Sequence, residues 1–236
     1  DCMIVGGVDL LVDPLMITGF SKLRALSERN ADPQGASRPF DLDRDGFVLG
    51  EGAGVLVLET EERALRRGAK PLAVLSGFGC SCNAYRITDS PPDGRGAYQA
   101  MAAALRDAGL QSSDIGYINA HGTSTPMNDP SETRGIYSAF GGRDQSPPVS
   151  STKSMMGHLV AACGAVEAII CVQAIRNGVL PPTINLSRPD PACDLNHVAN
   201  QAREADICHA MTNAFGFGGS DGSLVFSRWD EASGCV

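Results

Sequence analysis

The chain has 236 residues, 43% of them hydrophobic and 19% charged, enough apolar content for one large domain or two intimately packed halves. Its formal net charge is −8 and no Lys/Arg cluster stands out, which speaks against nucleic-acid binding by counterion release and leaves an acidic partner needing a local basic patch. Eight cysteines occur without a CxxC pair or zinc-type spacing, which predicts free thiols, no metal centre and a reducing, cytoplasmic setting.

Residues 2–8 read as a buried strand, and the stretch DPLMITGFSKLRALS as helical or irregular. Residues 28–48 form a long polar loop, of the kind that is functional or covers something. GAGVLVLET (52–60) is a strand, and EERALRRGA a helix ended by Gly68. PLAVLSGFGCS is a strand, and 96–110 is an alanine-rich amphipathic helix closing on Gly109. IGYINA is a strand. DPSETRGIYSAFG is a helix with Asp129 as N-cap and Pro130 at N1. PPVSSTK is a strand, and 157–178 is a long helix, apolar nearly all round and therefore central. HAMTNAF and GSLVFSRW are the last strands. No signal peptide is evident, and the longest apolar run, around 168–174, is too short to cross a bilayer. The chain opens on Asp1, directly before a strand, so the expectation is a piece of a longer protein. The alternation predicts an α/β fold with helix layers around sheets. A strand, a connection and a second strand occur at 2–59 and again at 209–228, a hint of two related halves.

Two histidines end strand-like runs, where α/β sheets place their sites. His121 closes YINAH, and His158 opens the long helix, whose N-terminal dipole disfavours imidazolium and leaves a neutral donor. Lys153 and Glu167 flank His158, and a buried glutamate needs a partner. Two readings stand: a buried ion pair with His158 as a cap, or a catalytic constellation. Thr123, Ser124 and Thr125 likewise serve either local turn bonding or contacts to a polar ligand. GEGAG and NAFGFGGSDG both lack the strand-to-helix context of a dinucleotide loop. The second is a hairpin connection, or a mobile loop carrying Phe215 and Phe217 with N–H groups able to face an oxyanion.

Taken together, SRPFDLDRDGFVLGEGAGVLVLE, NAHGTSTPMND, SSTKSMMGH with GAVEA, PPTINL and NAFGFGGSDGSL resemble the C-terminal part of a β-ketoacyl-acyl-carrier-protein synthase of the elongating type II (KAS II-like) kind, over about residues 1–228. The resemblance implies a thiolase-like fold, αβαβα layers in two pseudo-symmetric halves, the N-terminal half incomplete. Residues 1–68 would end that half, 69–229 form the C-terminal half and 230–236 a tail. It implies decarboxylative Claisen condensation of malonyl carrier protein with an acyl-enzyme thioester in fatty-acid elongation. His121 and His158 would be the catalytic pair, ordered by Lys153 and Glu167. Thr123 and Thr125 would bind the phosphopantetheine arm, and Phe217, with Phe215 beside it, would gate and help form an oxyanion hole. Phe20 would wall the acyl pocket; Lys22 and Arg24 would dock the acyl carrier protein. No cofactor of its own is implied, since phosphopantetheine arrives on the carrier; a homodimer is implied at full length, and neither nucleic acid nor membrane is an expected partner.

The family's nucleophilic cysteine precedes the strand equivalent to 2–8, so the chain alone is expected to be inactive. Cys163, where the family usually has alanine, reads as packing; Met156 and Ser220-Asp221 are further departures from the usual threonine and Thr-Asn. The alternatives are a ketosynthase of a polyketide or specialised pathway, and a non-catalytic partner subunit of the chain-length-factor kind. Both histidines, Lys153 and the Phe-Gly-Phe loop speak against the latter.

Overall fold

In the computed structural model, which describes residues 2–230, the chain runs through β1 (Cys2–Asp9), α1 (Pro14–Lys22), β2 (Gly52–Glu59) and α2 (Glu61–Arg66). It continues with β3 (Val74–Cys82), α3 (Arg95–Ala108), β4 (Ile115–Asn119), α4 (Asn128–Phe140), β5 (Val149–Ser150) and the one-turn α5 (Lys153–Met156). There follow α6 (Cys163–Asn177), the short β6 (Val179–Leu180) and β7 (Arg203–Glu204), and the long β8 (His209–Gly216) and β9 (Ser220–Ser227). Of the expected tail, 231–236 lie outside the described residues.

β1 and β2 pair antiparallel, from Cys2 opposite Glu59 to Asp9 opposite Gly52. A five-stranded sheet has the order β3-β9-β8-β4-β5, with β8–β9 an antiparallel hairpin and β4 parallel to both β8 and β5. The two-residue alternation of a strand divides its core. Ile118, Met211 and Val225 join α3 and α4 on one face, and Tyr117, Ala210 and Phe226 join α6 on the other. α6 also touches β1 and β2, so it lies between the two sheets. The layers are therefore β1–β2, α6, the five-stranded sheet, then α3 with α4, four of the five implied by the resemblance. The two antiparallel eight-residue pairs on either side of α6 are the physical form of the internal echo.

α3 shows why sequence and packing agree. Ala97, Ala100, Met101, Ala104 and Leu105 form its buried stripe, and Gly109, at φ 69°, ends it. A Cβ at Gly79 of β3 would sit 2.1 Å from the Ala100 carbonyl oxygen, so this close strand–helix approach needs glycine on one side and alanine on the other. The polar loop at 28–48 is ordered by buried carboxylates. Asp41 accepts the N–H groups of Asp43, Ser187 and Arg188, and Arg44 bonds Asp190 at 2.7 Å.

Several expectations are corrected. β1 is a strand but not a buried one: Ile4 and Val8 are exposed, because only its opposite face packs on α6. Asp129 is not the cap of α4; Met127 precedes the helix, and the Asp129 carboxylate turns inward to accept the Phe40 N–H at 2.8 Å. The long helix starts at Cys163, after a 3-10 turn over Val160–Ala162, because Gly157 and Val160 adopt φ of 75° and 48°. Val160–Asn177 does have the length and mean hydropathy, 1.4, of a membrane span; its place between two sheets, with Glu167 ion-paired inside, accounts for it as a core helix. Cys2, Cys80, Cys82, Cys163, Cys171 and Cys193 are free thiols, whereas Cys208 is disulfide-bonded.

Candidate active site

β4 and β5 lie parallel and release the chain at the same end of the sheet, the edge where such sheets gather functional loops. β4 delivers His121, and β5 delivers Lys153 and then His158. The turn after β4 is held from below by Glu132, buried on α4. Its two oxygens accept the backbone N–H groups of His121 and Gly122 at 2.9 and 2.8 Å, and Asn213 Nδ2 donates to it at 3.2 Å. Gly122 (φ 36°) and Ser124 (φ 70°) bracket Thr123. A Cβ at Gly122 would lie 2.5 Å from Ser151 Cβ, so β5 can approach this turn only because the residue is glycine. Unusual backbone at such a position is the kind of strain that surrounding structure must hold.

The His121 and His158 rings stand edge to face, centroids 5.4 Å apart at 84°. They are the middle of a continuous row of rings, Phe20–Phe47–His158–His121–Phe215, spaced 5.4, 5.0, 5.4 and 5.5 Å. The row lines a cavity of about 620 Å³ whose wall also includes Arg24, Thr123, Thr125, Cys163 and Phe217.

Both imidazoles are neutral at pH 7. Burial, then the Lys153 charge, depresses His158 to about 3. Burial, Lys153 and His158 hold His121 well below the ordinary histidine value. The expected helix dipole is not the cause, since α6 begins five residues beyond His158. Nδ1 of His158 accepts the Val160 N–H at 3.1 Å, so its proton sits on Nε2. His121 Nδ1 is buried and has no partner among the described residues. Lys153 Nζ meets Glu167 Oε1 at 2.5 Å, both side chains buried. Burial is the largest single influence and works against the Lys153 ammonium, but the charge and hydrogen bond of Glu167, with Cys163 and Glu132 beside them, together hold the lysine above its ordinary range.

The structure brings together nearly every residue named from the sequence. The Thr123 and Thr125 hydroxyls lie 2.9 Å apart, and Thr125 also accepts the Asn128 N–H, so turn bonding and cavity lining coexist. Phe215 is buried against His121, while Phe217, on the Phe217–Gly219 turn of the β8–β9 hairpin, is 54% exposed. Phe20 is buried on α1, and Arg24 reaches the cavity. Lys22, at the exposed end of α1, does not line it. Sequence reasoning missed Glu132, Phe47 and the contact of Cys163 with His158, 3.3 Å from Sγ to Nδ1. A signal for Glu132 existed: it shares the i, i+4, i+8 stripe of α4 with the buried Ile136 and Phe140.

Comparison with known proteins agrees with this fold. Residues 1–64 match the model of the β-ketoacyl synthase N-terminal domain, and residues 72–187 that of the C-terminal domain. The 3-oxoacyl-(acyl-carrier-protein) synthase 2 of Synechocystis sp. is 52% identical over 96% of this chain and 55% of its own length. That of Staphylococcus aureus is 47% identical over 98% and 55%. Among solved structures, a β-ketoacyl synthase from Burkholderia phymatum superposes with a TM-score of 0.92 at 41% identity, over 97% of this chain and 55% of that one. AntDE:AntF, a type II polyketide synthase acyl carrier protein in complex with its ketosynthase bound to the hexaketide, gives 0.92 at 40%, over 98% and 57%. The chain thus spans about half the length of the relatives it matches. With both domain models matched in order, over residues 1–64 and 72–187, and with relatives about half identical over nearly all of its length, the chain belongs to the β-ketoacyl synthase family.

Proposed function

We propose that this chain is the histidine-bearing part of a β-ketoacyl-acyl-carrier-protein synthase that elongates fatty-acyl chains by decarboxylative condensation. The observation that carries this reading is the pair of neutral imidazoles, 5.4 Å apart on one cavity wall, with the His158 proton on Nε2. When the malonyl carbon–carbon bond breaks, CO2 leaves and its electron pair becomes an enolate on the thioester oxygen. Donors that meet that oxygen as charge develops, and need no reorganisation, lower the barrier. The enolate carbon then attacks the acyl thioester, forming the new carbon–carbon bond and expelling a thiolate. Lys153 and Glu167 order the pair, and burial, reinforced by the Lys153 charge, keeps both rings unprotonated.

Thr123 and Thr125 offer hydroxyls along the cavity to the amides of a phosphopantetheine arm, so the chain needs no cofactor of its own. Phe217 gates the mouth, Phe215 backs His121, and Phe20 walls the acyl chain. Arg24, with Lys22 behind it, supplies the local basic surface for an acidic acyl carrier protein; the AntDE:AntF complex lends support to that partner. The boundary between halves falls near residue 68, and the whole enzyme works as a cytoplasmic homodimer. Identities of 47–52% to fatty-acid enzymes favour that pathway over the polyketide one, whose ketosynthase matches at 40%. The acyl-bearing cysteine lies outside this chain. Burial pushes the thiols of Cys163 to about 11 and Cys193 to about 12, and Cys171 higher still, away from the thiolate that nucleophilic attack requires.

The test is CO2 release from malonyl carrier protein by the enzyme that carries this chain. His121→Ala and His158→Ala should each lower it about 10²–10³-fold, as loss of one oxyanion donor does; unchanged release in both would sink the reading. Stoichiometric, iodoacetamide-sensitive acylation of the 236-residue chain by an acyl carrier protein thioester would overturn the placement of the nucleophile.

A further inference from the structure

Cys163 is buried in the first turn of α6, and its sulfur meets the Leu159 and Val160 N–H groups and the His158 ring. The Leu159 N–H donates to Sγ at 3.2 Å, and Sγ lies 3.3 Å from Nδ1 of His158. Nδ1 already accepts the Val160 N–H at 3.1 Å. An amide nitrogen cannot accept, so Nδ1 carries no proton, and in the contact between Sγ and Nδ1 the thiol is the donor. Burial keeps that thiol protonated at neutral pH, as a donor must be.

We propose that Cys163 is a positioning residue whose S–H, alongside the Val160 N–H, fixes His158 in the tautomer protonated on Nε2. The inference rests on the role given to His158 above and says how that role is held. Two donors converging on Nδ1 oppose rotation of the ring and any proton on that nitrogen. They also polarise the ring, which makes Nε2–H a stronger donor to a developing oxyanion. Alanine in place of Cys163 would leave the ring to the amide alone.

Nitrogen-15 spectra of the 236-residue chain, labelled in histidine at neutral pH, read the tautomer with no substrate present. Nδ1 of His158 should resonate as a non-protonated nitrogen and Nε2 as a protonated one. Cys163→Ala should move Nδ1 downfield, towards an imidazole nitrogen with fewer donors, with backbone resonances away from α6 unmoved. Cys163→Ser, which keeps a donor, should bring Nδ1 part of the way back. A proton on Nδ1 in the wild type overturns the proposal, as does an Nδ1 resonance that is the same with and without the thiol. Should the alanine variant fail to fold, the serine variant decides, since exchange of S–H for O–H must shift Nδ1 and an unmoved resonance refutes the contact. CO2 release tests the function separately, so failure of one reading is distinguishable from failure of the other.

Discussion

An ammonium and two imidazoles share one buried pocket, and Glu167 is what makes this tolerable. Removing it by Glu167→Gln leaves the Lys153 charge uncompensated in the interior and should cost about 3–5 kcal/mol in urea unfolding. The paired replacement Lys153→Met with Glu167→Leu should cost far less, because no lone charge remains. Burial, with the Lys153 charge second, also makes the two histidines sensitive to pH. His158 has a folded pKa of about 3 against an ordinary 6.5. The unfolded chain therefore takes up a proton as pH falls below 6.5 while the folded chain does not. Stability is full above pH 6.5 and declines towards pH 3, by about 1.4 kcal/mol per pH unit from this residue. His121, also depressed, acts in the same direction. Glu167, which burial raises to about 7, acts in the opposite direction over the same window, so the check is a comparison: between pH 7 and pH 5 the urea midpoint of the wild type should fall further than that of His158→Ala, and an equal change in both would contradict it. In the Lys153→Met, Glu167→Leu variant the histidines' share of the change should be smaller, because the Lys153 charge that helps depress both rings is gone.

Among the elements, α4 does more than cover the sheet. Glu132 is the acceptor for two buried N–H groups at the turn that carries His121. Glu132→Ala should cost about 2–6 kcal/mol, since each of the two orphaned buried donors costs about 1–3; Glu132→Gln, which retains one acceptor oxygen, should cost less. Thermal unfolding of the two variants gives the comparison, and equal losses would argue against the paired-acceptor account. Nearly all strands and helices were legible from periodicity, glycine stops and turn residues, because those signals are local. So was the quartet His121, Lys153, His158 and Glu167, through strand ends and the cost of burying a glutamate. What escaped was set by contacts between distant segments. Asp129 reads as a cap until Phe40, from a loop far upstream, claims its carboxylate. Helix periodicity extends back to Gly157, but Val160 at φ 48° breaks it, and that break carries Cys163 back towards His158. An unbroken helix would leave residues five apart on different faces.

The β1–β2 pair sets the behaviour of the molecule as a whole. One face packs on α6 so closely that a Cβ at Gly54 would sit 3.0 Å from the α6 backbone. The other face presents Ile4, Val8, Val55 and Val57, 75%, 65%, 63% and 60% exposed, and Ile4 lies directly opposite Val57 in the register. A two-stranded sheet with an apolar face and two unpaired edges is marginal by itself and templates association. The relatives are nearly twice as long, and we take this face as the surface on which the rest of such an enzyme would lie. On its own, the 236-residue chain should therefore self-associate as concentration rises, seen in sedimentation velocity. Ile4→Lys with Val57→Lys should return it to a monomer without loss of far-ultraviolet ellipticity, because neither side chain touches α6. Leu56→Lys, on the packed face of the same strand, should instead unfold the layer, since its charge would be driven between β2 and α6. A wild-type chain that stays monomeric, or a Leu56→Lys variant as stable as the outward pair, would show that the two faces are not so different as their burial implies.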